Sequence, residues 1–197
     1  MTVNLYDPLT YDNLMAGLVM HFEKQPAERL DSVAGVEGPG IYSLFYSGNF
    51  HVYEPISCGE IPIYVGKAVP PGSRKGNQVD ESIPVLQRRI REHSRSIGQA
   101  ANLEISDFSC RYLSVVPVWI TLAERFLIDH YRPVWNLCLD GFGDHDPGKG
   151  RRNSQRSWWD TLHPGRNWAV GLGDSKKPED AERRVAEFFE TIGQGRI

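Results

Sequence analysis

Several side chains of this 197-residue chain combine proton transfer with anion binding. Tyr42 closes the triplet Gly40-Ile41-Tyr42, and Tyr64 opens Tyr64-Val65-Gly66 just ahead of Lys67. Arg89 and His93 lie four residues apart and would share one face of a helix. Glu124 is a charged residue among the apolar positions Trp119, Leu122, Ala123, Phe126 and Leu127, and Asn136 follows Pro133 by three residues. Hydrolysis of a phosphodiester needs this kind of inventory: a base for water, a positive group over the non-bridging oxygens, and a means of neutralising the departing 3'-oxygen. A guanidinium fork matches phosphate geometry. A phenol titrates near 10 and is a poor base at neutrality unless a neighbouring cation lowers it. Taken singly, each residue also has a plainer reading. A strand tyrosine is commonly half-buried packing, a helix histidine or glutamate commonly faces solvent, and an asparagine after a helix is commonly a turn residue.

The elements that must position these groups are legible as periodicities. Asp7 and Pro8 open a helix carrying Tyr11, Leu14, Met15, Leu18 and Phe22 at spacings of three and four. Residues 40–46 read as a strand, Phe50–Tyr53 as a short partner and Ile61–Val65 as a stronger one. A Pro- and Gly-rich tract, 69–80, reads as a loop. A basic helix follows from near Ser82 or Pro84, then a strand over 108–116 stopped by Pro117, a helix over 118–131, a loop over 139–156, and a helix over 178–192. The expected fold is a single α/β domain: a small, mostly antiparallel three-stranded central sheet flanked by helices, with an N-terminal helix and a C-terminal extension over 139–197.

Composition is that of a folded domain, 40% hydrophobic and 24% charged, which excludes a disordered acidic chain. No apolar run approaches a membrane span, and the first residues carry no leader-like pattern. Three cysteines without CxxC spacing argue against a disulfide framework and point to a reducing, cytoplasmic setting. The net charge of -3 conceals two basic blocks. Residues 67–95 carry seven Lys/Arg against three Asp/Glu, and residues 149–166 carry five against one. A polyanion senses such local potential more than the total, although two solvated faces of mixed charge would give the same count.

In this order, Tyr42, Tyr64, Arg89, Glu124 and Asn136 resemble the catalytic set of the GIY-YIG nuclease family, over about residues 40–137. The His93 that follows Arg89, the wide gap between the tyrosine triplets and the two terminal extensions are similar to the Eco29kI-like branch of restriction endonucleases. Arg89 is preferred to its neighbours Arg88 and Arg91 because it shares a face with His93. The resemblance implies Tyr42 as activator of the nucleophile with His93 as an alternative proton acceptor, and Tyr64 as holder of the water or phosphate. It further implies Arg89 on phosphate, Glu124 as sole protein ligand of Mg²⁺ (with Mn²⁺ able to substitute), and Asn136 shaping the site by fixing a nearby loop. Gly66 would let the DNA backbone approach, and Lys67 would touch phosphate.

The implied activity is a Mg-dependent type II restriction endonuclease cutting duplex DNA at a GC-rich palindrome by a one-metal mechanism, as a homodimer. A repair or recombination nuclease acting on branched or damaged DNA, and a DNA-binding module without cleavage, are the alternatives. Contacts to DNA are expected from Arg74 and Lys75 in the first loop and from Arg151, Arg152 and Arg156 in the second, the latter flanked by Trp158, Trp159, His163 and Arg166. The tryptophans could instead pack a C-terminal subdomain, and the C-terminal helix could be either a dimer contact or part of the core.

Overall fold

The computed structural model describes residues 7–70, 83–146 and 154–194. Helix α1 spans Tyr11–Glu23, with the Thr10 side chain accepting a hydrogen bond from the Asn13 amide at its start. The chain then forms β1 (Glu28–Arg29), β2 (Gly40–Tyr46), β3 (Tyr64–Ala68), α2 (Val85–Gln99), β4 (Phe108–Ser114) and α3 (Pro117–Tyr131). Short helices α4 (Val134–Leu137) and α5 (Trp158–Leu162) precede the long α6 (Pro178–Gln194).

The strands make one antiparallel sheet in the order β1-β4-β2-β3. It has four strands rather than the expected three, because the two-residue β1 adds to the outer side of β4, pairing Glu28 with Cys110 and Arg29 with Ser109. A second correction concerns Phe50–Tyr53. The chain there turns into a short 3-10 helix of about two turns, His51–Ile56, which buries Tyr53 and Ile56 at a spacing of three, the repeat of that helix.

Side chains alternate across β2, so the sheet has two differently covered faces. Ile41 and Val65 face α1 and α3, packing with Phe22, Ile120, Ala123 and Leu127. Tyr42, Leu44 and Tyr46 face α2 and the C-terminal part of the chain, packing with Leu86, Ile90, Trp135, Phe142, Trp159 and Val185. Helix α6 therefore belongs to the core: Ala181 and Val185 are fully buried, and Phe188 and Phe189 pack at its margin.

Three buried aromatic and polar groups tie the C-terminal segment to the larger cluster. Trp135 Nε1 donates to Tyr53 Oη at 2.8 Å, Tyr53 Oη meets His163 Nε2 at 2.5 Å, and His163 Nδ1 meets Asn102 Oδ1 at 2.9 Å. Asn102 Nδ2 donates to the Leu162 carbonyl, so its Oδ1 is the acceptor and His163 carries its proton on Nδ1. Tyr53 then donates to Nε2. Burial holds His163 down to about 3, and the ring is neutral.

Cys58, Cys110 and Cys138 are all free thiols. Among the described residues no helix is long and apolar enough to cross a membrane.

Candidate active site

Strand β3 is an edge of the sheet, and the site wraps around it. Register opposes Tyr42 to Gly66, so the Tyr42 ring lies across Gly66 toward the edge. A Cβ on Gly66 would stand 2.5 Å from Tyr42 Cζ and 2.9 Å from Tyr64 Cε1. The glycine of the second triplet thus makes room for the first tyrosine, a role distinct from the expected approach of DNA. Gly40 has a comparable reason: a Cβ there would collide with the Leu113 carbonyl oxygen of β4.

On the α2 side, Tyr42 Oη lies 2.6 Å from His93 Nε2, and both groups are almost wholly buried. Burial raises Tyr42 well above the ordinary phenol value and, with the positive charge of Arg89, lowers His93 well below the ordinary imidazole value. At neutral pH the proton is therefore on the phenol. Tyr42 donates, and a neutral His93 accepts through Nε2.

Tyr64 stands beside them, its ring centroid 5.1 Å from that of His93, and burial raises its hydroxyl too. Arg89 completes this side. Its guanidinium interacts with both phenols and is held by Glu92 Oε2 at 2.9 Å, His145 Nε2 at 2.9 Å and the Gly143 carbonyl at 3.1 Å. Arg88 and Arg91, by contrast, are exposed.

Across the edge, parity sends Lys67 to the α3 side, where its Nζ meets Glu124 Oε2 at 2.6 Å. Glu124 is about one-fifth exposed, and its charge is felt by both Tyr42 and Tyr64. The two faces of the sheet thus meet electrostatically at one edge. Lys67, expected on phosphate, is engaged with the carboxylate.

Asn136 holds the edge itself. Its Oδ1 accepts from the Val65 amide and its Nδ2 donates to the Val65 carbonyl, both at 2.8 Å. The Trp135 amide donates to the Ile63 carbonyl at 3.0 Å. The side-chain amide therefore substitutes for a neighbouring strand and fixes β3, where a loop had been expected.

Among the expected DNA contacts, Arg74, Lys75, Arg151 and Arg152 lie outside the described residues. Arg156 is mostly buried and paired with Asp174 Oδ1 at 3.3 Å. Trp159, His163 and Arg166 are buried inside the molecule, and their flanking role in a DNA-reading surface is corrected to packing. Trp158 is half-buried against Lys176 and Arg184.

Sequence reasoning missed Phe142, Gly143 and His145. The Phe142 ring stacks on His93 at 4.5 Å and 19°, while Gly143 and His145 fasten Arg89. No periodic pattern marks this turn. The one available signal is the Ser157-x-x-Asp160 capping box, which announces α5 and hence a packed segment directly downstream.

Residues 34–189 match the family described as the Eco29kI GIY-YIG domain, so the likeness extends well past residue 137 to include α5 and most of α6. No curated protein matches the chain. With the tyrosine triplets, the helix arginine, the glutamate and the asparagine disposed around one strand edge, the chain belongs to the Eco29kI family of GIY-YIG nuclease domains.

Proposed function

We propose that this chain is a divalent-metal-dependent restriction endonuclease that cuts duplex DNA at a specific, GC-rich palindromic site as a homodimer. The observation that carries the reading is the convergence of Tyr42, Tyr64, Arg89 and His93 from one face with Lys67 and Glu124 from the other at the β3 edge.

The Arg89 fork is suited to the non-bridging oxygens of a scissile phosphate. The Tyr42 oxygen, already donating its proton to His93, can take a proton from attacking water as it passes its own to Nε2. Proton relay through a phenol requires no free tyrosinate, which burial disfavours. Arg89 lowers the basicity of His93 in the free protein. A bound phosphate offsets that positive field and makes the imidazole a better base when substrate is present. Tyr64 orients the water or the phosphate.

Glu124 supplies one hard carboxylate oxygen at a partly exposed position, and Lys67 engages its Oε2. Among the described residues no three His, Cys, Asp or Glu side chains gather to hold an ion. The donor set therefore suits a hard cation that keeps most of its water, Mg²⁺ or Mn²⁺. Bound at Glu124, such an ion would neutralise the departing 3'-oxygen. A C2 homodimer would pair two such sites on a palindrome.

The experiment is plasmid digestion with Mg²⁺ by the wild type and by Glu124→Ala, followed by mapping of the ends. Discrete, repeated ends from the wild type alone are expected. Intact DNA across a broad plasmid panel would remove the restriction reading, and cleavage confined to branched or damaged substrates would replace it with a repair role.

A further inference from the structure

Arg166 is a charged residue with almost no exposed surface. All five of its N–H groups are engaged. Nε donates to Asp160 Oδ1 and Nη2 to Asp160 Oδ2, both at 2.6 Å. The remaining donors reach three backbone carbonyls of one turn: Gly141 at 2.8 Å, Phe142 at 3.1 Å and Asp144 at 3.3 Å. The guanidinium is stacked between Trp159 and Trp168, with its carbon 4.6 Å from each ring centroid. Asp160 is equally buried and is held by Ser157 Oγ at 2.7 Å.

A buried ion pair of this kind is weak evidence for stability, since apolar residues of similar volume commonly do as well. What an apolar residue cannot do is fix three carbonyls of an otherwise irregular turn. That turn carries the Phe142 ring on His93 and the Gly143 carbonyl and His145 ring on Arg89. We propose that Arg166, oriented by Asp160, is a positioning residue for His93 and Arg89, acting through the turn 141–145. The contribution to cleavage rests on the nuclease reading above; the bracing of the His93 ring does not.

The two are separated by two readouts on the full chain. Stacking under Phe142 gives the His93 ring protons a ring-current shift, read in imidazole ¹H–¹⁵N correlation spectra with His93→Gln for assignment. In Arg166→Lys, whose three N–H groups cannot serve Asp160 and all three carbonyls together, those signals move toward unstacked values. Single-turnover cleavage falls roughly ten- to a hundredfold, while affinity for DNA in Ca²⁺ changes less than threefold. Should Arg166→Lys not fold, Asp160→Asn/Arg166→Gln, which removes both buried charges together, takes its place with the same expectations. Unmoved His93 signals in a folded variant overturn the proposal, as does an undiminished rate or a loss of affinity as large as the loss of rate. If the wild type cuts no DNA, the nuclease reading has failed and the His93 signals still decide whether Arg166 braces the site.

Discussion

The Gly66→Ala substitution separates two roles for the second triplet. A methyl group at residue 66 would begin 2.5 Å from Tyr42 Cζ. Ordinary carbon contacts lie near 3.5 Å, so ring and methyl must part by about 1 Å. Little of that can be absorbed elsewhere, because the Tyr42 ring is fully buried and its hydroxyl is bonded to His93. Overpacking of this kind costs about 1–3 kcal/mol of stability. A misplacement of about 1 Å at a reacting group costs about a hundredfold in rate. The assay is single-turnover plasmid cleavage, paired with DNA affinity measured in Ca²⁺ and a urea unfolding curve. The rate should fall about a hundredfold with affinity nearly unchanged, and Tyr42→Phe/Gly66→Ala should be little slower than Tyr42→Phe alone. A variant that cleaves at full rate once bound but binds poorly would refute the reasoning and return Gly66 to the service of the approaching DNA backbone.

Further outcomes follow from the same geometry. Burial keeps His163 neutral down to about pH 3, whereas the unfolded chain protonates it near 6.5. The unfolded state thus binds the extra proton across that window, and this stability is complete above pH 6.5 and is lost as pH falls toward 3. Between pH 6.5 and 4.5 the loss is about 2 kcal/mol; urea unfolding of His163→Gln should show a correspondingly shallower pH dependence. His93 is held well below its ordinary value, so kcat/KM for cleavage should persist as pH drops through 6.5 and fail only lower. A limb centred at 6.5 or above would contradict the neutral, buried acceptor. Asn136→Ala leaves the Val65 amide and carbonyl without partners, and should lower unfolding stability by about 1–3 kcal/mol while speeding hydrogen exchange at Val65. Glu124→Gln should abolish Mg²⁺-dependent cleavage while leaving the circular dichroism spectrum unchanged.

The resemblance to the GIY-YIG family, carried by the two triplets and the order of the residues after them, singles out Tyr42, Tyr64, Arg89 and His93. Only the choice of Arg89 over Arg88 and Arg91 rests on a local repeat, the spacing of four to His93 on α2. What could not be read this way is determined between elements. Lys67 looks like a phosphate contact in the sequence, and only the pairing of β3 with β2 turns it toward Glu124. Arg166 lies in a basic block that suggests a surface, yet beside Asp160 its partners include three carbonyls 22 to 25 residues upstream, contacts that charge counting does not register. The Phe50–Tyr53 segment misled because aromatic content mimics a strand; Pro55 and the buried Tyr53 and Ile56, three apart, fit a tighter turn. Strand β1 has two residues and no pattern of its own, and its place comes entirely from β4.

The amide of Asn136 also governs how copies of this protein can meet. An unpaired strand margin invites another chain to extend the sheet, and here that margin would be the very strand that bears Tyr64 and Lys67. With Val65 already satisfied by Asn136 and the Ile63 carbonyl by Trp135, strand addition at that border would first have to evict them. The opposite border is a two-residue strand, Glu28–Arg29, laid over the start of β4. Any association of copies would thereby be steered away from β3 toward other surfaces, and the strand bearing Tyr64 and Lys67 kept out of intermolecular ladders.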